Sequence, residues 1–256
     1  LSSAASDVYK RQGVTGFVYD ELGNVLTQTG TDGNTTNFEY EPNFNQLSVV
    51  TDAKDNQLKY SYDDRGNATD IIYADGSRDR FKYDSEGNLI LTTNRREGQV
   101  GYSYDDVDRL IHKQFDNGDS LNYEYDDRGN LIKVTDESGE TVMVYDDADR
   151  LTKITYPTER WLEFTYENNR RSSMVDDSGG IVKYGYDGVG RLRKLTDGEN
   201  ELIVQYSYDN IGRLAKEENG NGTATVYEYN DVGQLVKLTK FDADNQVNSQ
   251  FEYSYD

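Results

Sequence analysis

The dipeptide Tyr-Asp, or a close variant of it, returns twelve times along the chain, and this recurrence limits the possible folds more than any other feature. It stands at Tyr19-Asp20, Tyr40-Glu41, Tyr62-Asp63, Tyr83-Asp84, Tyr104-Asp105 and Tyr125-Asp126. It continues at Tyr145-Asp146, Tyr166-Glu167, Tyr186-Asp187, Tyr208-Asp209, Tyr229-Asn230 and Tyr255-Asp256. Successive tyrosines are 21, 22, 21, 21, 21, 20, 21, 20, 22, 21 and 26 residues apart. A fixed period of this length marks an array of supersecondary units, each unable to cover its apolar face alone.

The unit can be read residue by residue. Two positions before each tyrosine stands a second large apolar residue: Phe17, Phe38, Tyr60, Phe81, Tyr102, Tyr123, Met143, Phe164, Tyr184, Tyr206, Tyr227 and Tyr253. A spacing of two puts both side chains on one face of a strand. The residue between them is usually small or polar (Glu39, Ser61, Ser103, Glu124), which predicts a half-wet antiparallel strand. After Tyr-Asp comes a turn that closes on Gly23, Gly66, Gly87, Gly129, Gly190, Gly212 or Gly233, or on Asp108, Asp149 or Asn45. These residues tolerate a positive φ most readily, so a left-handed residue is predicted there in every turn. A second strand follows, such as Leu131–Thr135, then a second turn at Asp136–Gly139, Asp75-Gly76 or Asn117-Gly118. Each unit is therefore two strands and two turns. A sheet of ~22 such strands twists and is expected to curl, with the tyrosine rings expected to stack along it.

Composition agrees. Only 34% of residues are hydrophobic, against roughly half in an ordinary globular domain. Low hydrophobicity with a net charge of −21 would otherwise indicate disorder, but 22 Tyr, 8 Phe and 1 Trp argue against that. Two prolines suit strands that must keep their N–H donors. The acidic charge disfavours nucleic acid and anionic membranes as partners, and no apolar run reaches the ~20 residues that span a bilayer. With no cysteine there is no disulfide or thiol chemistry. The opening LSSAASDVYKRQ lacks the pattern and is not a signal peptide. Residues 1–12 are read as a non-native or unstructured extension, residues 13–256 as the repeat array of a longer protein, open at both ends.

Candidate chemistry is sparse. His112 is the lone histidine, and nothing pairs it with a nucleophile. The carboxylate pairs Asp63-Asp64, Asp105-Asp106, Asp126-Asp127, Asp146-Asp147 and Asp176-Asp177 recur with the turns. They read as turn residues rather than as a glycosidase pair. Asp242-x-Asp244-Asn245 offers hard oxygen ligands of the kind calcium takes, though it lacks the Gly and final Glu of an EF-hand loop. Asn34-Thr35-Thr36, Asn67-Ala68-Thr69 and Asn221-Gly222-Thr223 match the glycosylation sequon. Trp161 follows Pro157 in the unit that departs most from the pattern; it reads as a core filler, with a sugar-stacking platform as the rival. No catalytic, cofactor or metal residues are assigned.

The segments YDSEGNL (83–89), YDDRGNL (125–131), YDGVGRL (186–192) and YDNIGRL (208–214) resemble the YD repeats of RHS proteins, and the resemblance covers residues 13–256. It implies an all-β fold of tandem hairpins in a long β-ribbon that forms part of a hollow shell. The motif residues it points to are Tyr19, Asp20, Tyr62, Asp63, Gly66, Tyr83, Asp84, Gly87, Tyr104, Asp105, Tyr125, Asp126, Gly129, Tyr145, Asp146, Tyr186, Asp187, Gly190, Tyr208, Asp209 and Gly212. In RHS polymorphic toxins and Tc toxin cocoons such shells enclose a C-terminal toxin; teneurins use a similar shell in adhesion. The family's DPxG core signature is absent here, the two prolines being Pro42 and Pro157. The resemblance implies a non-enzymatic bacterial protein, secreted or on the cell surface, whose partners are further YD repeats and a C-terminal toxin or effector domain. The alternative is an adhesion or carbohydrate-binding module.

Overall fold

A computed structural model describes residues 15–255; the extension expected over residues 1–12 lies outside them. The described residues form twenty-three strands and no helix. All given pairings are antiparallel and join neighbours in sequence, so each strand turns back on the one before it. The chain divides into two compact units, residues 1–123 and 124–256. In the first, an antiparallel meander runs from strand Gly16–Tyr19 to strand Leu110–Phe115, which pairs with the start of strand Ser120–Tyr125. In the second it runs from strand Leu131–Asp136 to strand Val247–Glu252.

The strands have the period of two that the aromatic spacing predicts. Along Gln57–Tyr62 the residues alternate between exposed and half-buried, with Leu58, Tyr60 and Tyr62 on the covered side. Few residues are more than nine-tenths buried: Phe164, Val204 and Ala224 among the apolar ones and Thr93, Thr196 and Thr239 among the polar. Apolar side chains in the turns, such as Leu22, Val189 and Val232, are exposed, while most of those on the strands are half-covered. This is how a chain so poor in aliphatic residues still gains from burial.

Two devices recur where a strand meets a turn. At the first, the register slips by one residue beside the tyrosine. Lys82 pairs with Leu91 but Tyr83 pairs with Leu89, leaving Ile90 unopposed. The same bulge follows Ser61, Ser103, Val144, Ser207 and Glu228. Such bulges bend the strand and raise its twist. The sequence reading did not contain them. At the second, the turn closes on a left-handed residue. Gly23, Gly66, Gly87, Gly129, Gly190, Gly212 and Gly233 have φ between 86° and 100°, and Asn45, Asp108 and Asp149 have φ of 57°, 62° and 57°. The intervening turns at Gly76 and Gly118 follow the same plan, with φ of 81° and 97°. There the glycine N–H donates to the carbonyl three residues back, at Tyr73 and Phe115. A two-residue turn of mirror-image type appears instead at Asn168-Asn169, both with positive φ.

Ring stacking follows a different course from the expected one. Phe17 and Tyr19 stack with centroids 6.2 Å apart. Among the described residues Phe81, Tyr83, Tyr102 and Tyr104 form no ring-on-ring pair; Lys113 sits over Tyr102 instead. Cations lie over several of the other rings, as Arg171 does over Phe164 and Arg191 over Tyr208.

Gly87, at φ 100°, would meet no atom within 4 Å if it carried a Cβ, so only backbone conformation opposes a side chain there. Gly87→Ala is expected to destabilise by about 1–2 kcal/mol and Gly87→Asn by clearly less. Urea unfolding of the two variants checks this; equal costs would show that φ is not what selects glycine.

Candidate functional site

The repeated element of this chain is the YD corner, whose aspartate and tyrosine side chains recur with the same kinds of partner. The aspartate acts first. In Asp63, Oδ1 accepts the N–H groups of Arg65 and Asn67, and Oδ2 accepts the Asn67 side-chain amide. Asp20 and Asp126 repeat the pattern with Asn24 and Asn130. Asp105, Asp146, Asp187 and Asp209 take an arginine Nε in place of the amide, from Arg109, Arg150, Arg191 and Arg213 at 2.6–2.8 Å. A short acidic side chain can reach its own backbone in this way, which is why it nucleates the turn. The hydrogen bonds favour the ionised form. The amide of Asn67 holds the Asp63 carboxyl below the usual carboxylate range, and the Arg109 N–H does so for Asp105, in both cases against burial. Asn230 performs the same backbone task without a charge.

The tyrosine acts next, across hairpins. Its hydroxyl donates to a backbone carbonyl at the start of the preceding strand: Tyr40 to Val25, Tyr62 to Leu47, Tyr83 to Ala68 and Tyr104 to Leu89, at 2.6–3.0 Å. In the second unit Tyr145 bonds Leu131, Tyr166 Leu151, Tyr186 Arg171, Tyr208 Leu192, Tyr229 Leu214 and Tyr255 Leu235, at 2.7–3.0 Å. Val25, Leu47, Ala68, Leu89, Leu151, Arg171, Leu192, Leu214 and Leu235 each sit at a register slip. The latch thus reaches a carbonyl beside the bulge in the hairpin before it. Burial raises the pKa of Tyr62, Tyr83, Tyr104 and Tyr145, so these hydroxyls keep their protons and remain donors.

A third contact joins successive corners. Arg150, Arg191 and Arg213, each held by its own turn's aspartate, lie over the rings of Tyr166, Tyr208 and Tyr229 at 4.8, 4.3 and 4.5 Å. Such cation–π contacts contribute about 0.5–2 kcal/mol each. Where asparagine replaces arginine, it reaches the next turn's left-handed residue: Asn24 to Asn45, Asn88 to Asp108 and Asn130 to Asp149, at 2.7–2.8 Å. Neither link was read from the sequence.

The other candidates find local partners. His112 Nδ1 lies 2.7 Å from the Asn122 side chain across a strand pair. Asp242 accepts the N–H groups of Asp244 and Gln246. Trp161 lies under the Lys153 ammonium at 4.6 Å and borders a surface hollow with Tyr156, Arg160 and Asp177. Among the described residues no three His, Cys, Asp or Glu side chains are grouped as for a metal ion. In each of the repeated acid pairs the first carboxylate, Asp63, Asp105, Asp126, Asp146 or Asp176, is committed to its own turn, whereas Asp147 and Asp177 meet Arg128 and Arg160 of other turns.

The chain matches the Teneurin YD-shell family over residues 4–122 and 90–256. It therefore belongs to the YD-shell family and is a segment of a YD shell. Solved structures share the fold at low identity. The TcdB2-TccC3 structure is 18% identical with a TM-score of 0.77, over 99% of this chain and 16% of that one. TcdB2-TccC3-TEV is also 18% identical, with a TM-score of 0.75, over 96% of this chain and 15% of that one. A Photorhabdus luminescens Tc holotoxin pore with a mutated TccC3 is 15% identical with a TM-score of 0.55, over 100% of this chain and 18% of that one. This chain thus spans less than a fifth of the length of each. No curated protein matches it.

Two outcomes follow. Tyr104→Phe removes the donor and leaves the Leu89 carbonyl unpaired, so it should destabilise by about 1 kcal/mol, whereas Tyr104→Ala, which also opens a cavity, should cost ~2–4 kcal/mol. Urea unfolding distinguishes the two; a Tyr104→Phe variant as stable as the parent would show the latch to be idle. The turn aspartates have folded pKa values below the unfolded one, so their contribution is present above about pH 4 and disappears as pH falls through the folded value. Stability is expected to fall on acidification below that point, and Asp63→Asn, which keeps the backbone acceptor, to flatten the fall. A rise in stability instead would mean that relief of repulsion among the net negative charges dominates.

Proposed function

We propose that this chain is a wall segment of a shell that encloses a C-terminal toxin or effector domain of the same protein, and that it carries no catalytic activity of its own. The observation behind this reading is the unbroken series of latches within each unit. Within each unit one hairpin after another is tied to its predecessor by a Tyr hydroxyl. Among the described residues the turn carboxylates hold their own backbone, and no three His, Cys, Asp or Glu side chains are grouped as for a metal ion. A single-layer sheet built this way is suited to separating two spaces. The motif residues Tyr62, Asp63, Gly66 and their repeats hold the wall together, and residues 13–256 act as one array. The fold shared with TcdB2-TccC3 supports the toxin branch, and with it a secreted or surface location for the whole protein.

The test uses the full-length protein. A C-terminal domain inside a shell should resist protease at concentrations that digest the same domain produced alone. Paired Tyr→Phe changes at the latches, such as Tyr83 with Tyr104, should remove that protection before the repeats themselves unfold. Cleavage of the C-terminal domain as fast as in isolation would overturn the enclosing role and favour an exposed adhesion module.

A further inference from the structure

One YD corner departs from the rest, and the departure places a positive charge where the array otherwise holds an aliphatic side chain. The residue whose carbonyl accepts the tyrosine latch is Leu131, Leu151, Leu192, Leu214 and Leu235 in the second unit. At the corner closed by the two-residue turn Asn168-Asn169 it is Arg171, whose carbonyl accepts from Tyr186 at 2.9 Å. The Arg171 side chain is half-buried. Its guanidinium lies 4.1 Å from the centre of the Phe164 ring, one of the few buried side chains of the chain, and 5.8 Å from that of Tyr184. Arg170 beside it lies 5.6 Å from the Tyr186 ring and rests on Gly190, where any Cβ would collide with it.

The corner arginines Arg150, Arg191 and Arg213 are neutralised by Asp146, Asp187 and Asp209. Among the described residues Arg170 and Arg171 have no carboxylate partner. The turn's own acid, Glu167, faces Arg170 in the strand register without forming an ion pair. Arg171 nevertheless stays charged: burial opposes its charge, and the Tyr184 and Tyr166 hydroxyls more than offset this and raise its pKa. A half-buried cation without a counter-ion is costly. A guanidinium stacked on a ring still presents its in-plane N–H edge, which is shaped for two-point contact with an oxyanion.

Both arginines line one small pocket with Ser172, Tyr184 and Glu167, of ≈ 140 Å³. That is room for several waters at ~30 Å³ each, or for one small oxyanion. We propose that Arg170 and Arg171 form an oxyanion-binding site, with the hydroxyls of Ser172 and Tyr184 as added donors, that takes a phosphate or carboxylate group. Ser172 shares its hydroxyl with Thr165 at 2.8 Å, which fixes it at the pocket's wall. The acidic field of the whole chain works against anions, so the site must act through these short contacts, and inert salt should help rather than hinder. This inference stands independently of the enclosing role.

The test is a titration of the chain with inorganic phosphate, and separately with acetate, followed by the arginine Nε–H resonances in NMR spectra at constant ionic strength in chloride. The signals of Arg170 and Arg171 should shift and saturate. Arg171→Leu restores the side chain the array uses at this slot, so its amide spectrum should remain folded while affinity falls tenfold or more. Arg170→Gln should weaken binding as well, and Glu167→Gln should tighten it. Tighter phosphate binding would identify a phosphorylated ligand, and equal or tighter acetate binding a carboxylate of a protein partner. Absence of a saturable shift, or the same shift in Arg171→Leu, would overturn the site and leave Arg171 as a ring-stacked packing residue.

Discussion

A sheet one layer thick has no second layer to press against, so each hairpin must be held by the one beside it. Backbone ladders alone leave such a sheet free to slip, because a register shift of one residue preserves most ladder hydrogen bonds while turning side chains to the wrong face. The tyrosine hydroxyl removes that freedom. It reaches a specific carbonyl beside the bulge of the preceding hairpin, as from Tyr83 to Ala68 or Tyr229 to Leu214. A slip would move the acceptor out of reach. The latch therefore fixes register at every second strand.

Charge is organised around the same corners. A net charge of −21 would oppose a compact state if the carboxylates were scattered. Many are instead held in turns, where backbone N–H groups and an arginine or asparagine surround them. The arginine then does two things at once: in Asp209–Arg213–Tyr229 it neutralises its own turn and covers the next tyrosine ring. Much of the acidity of the sequence is thus a consequence of turn chemistry repeated with every unit.

The periodic features of this fold were legible in the sequence. Tyr-Asp spacing gave the hairpins, the alternation around Tyr60 and Tyr62 gave the faces, and Gly66 or Asp108 gave the left-handed turn positions. What stayed hidden depends on distances that cross hairpins. The latch acceptor of Tyr104 is Leu89, and a backbone carbonyl carries no residue-type signature. The bulge beside Tyr83 leaves no mark except that Ile90 is opposed by nothing. Ring stacking is seen at Phe17 and Tyr19 but not at Phe81, Tyr83, Tyr102 or Tyr104, and a cation, Lys113 or Arg191, lies over Tyr102 or Tyr208. Arg171 was readable in principle: aligned on the tyrosine period, it stands in a column of leucines.

The latch also has a direction. Each tyrosine reaches back to the hairpin before it, and each hairpin offers its successor the same carbonyl that its predecessor offered it. Donor and acceptor belong to every unit alike, so a hairpin inserted between any two others would find both of its bonds already waiting. Copy number is then free to drift during evolution by duplication or loss of whole units, with no compensating substitution required at the seam. An exception such as the corner at Arg171 can arise in a single copy while its neighbours keep the common pattern intact.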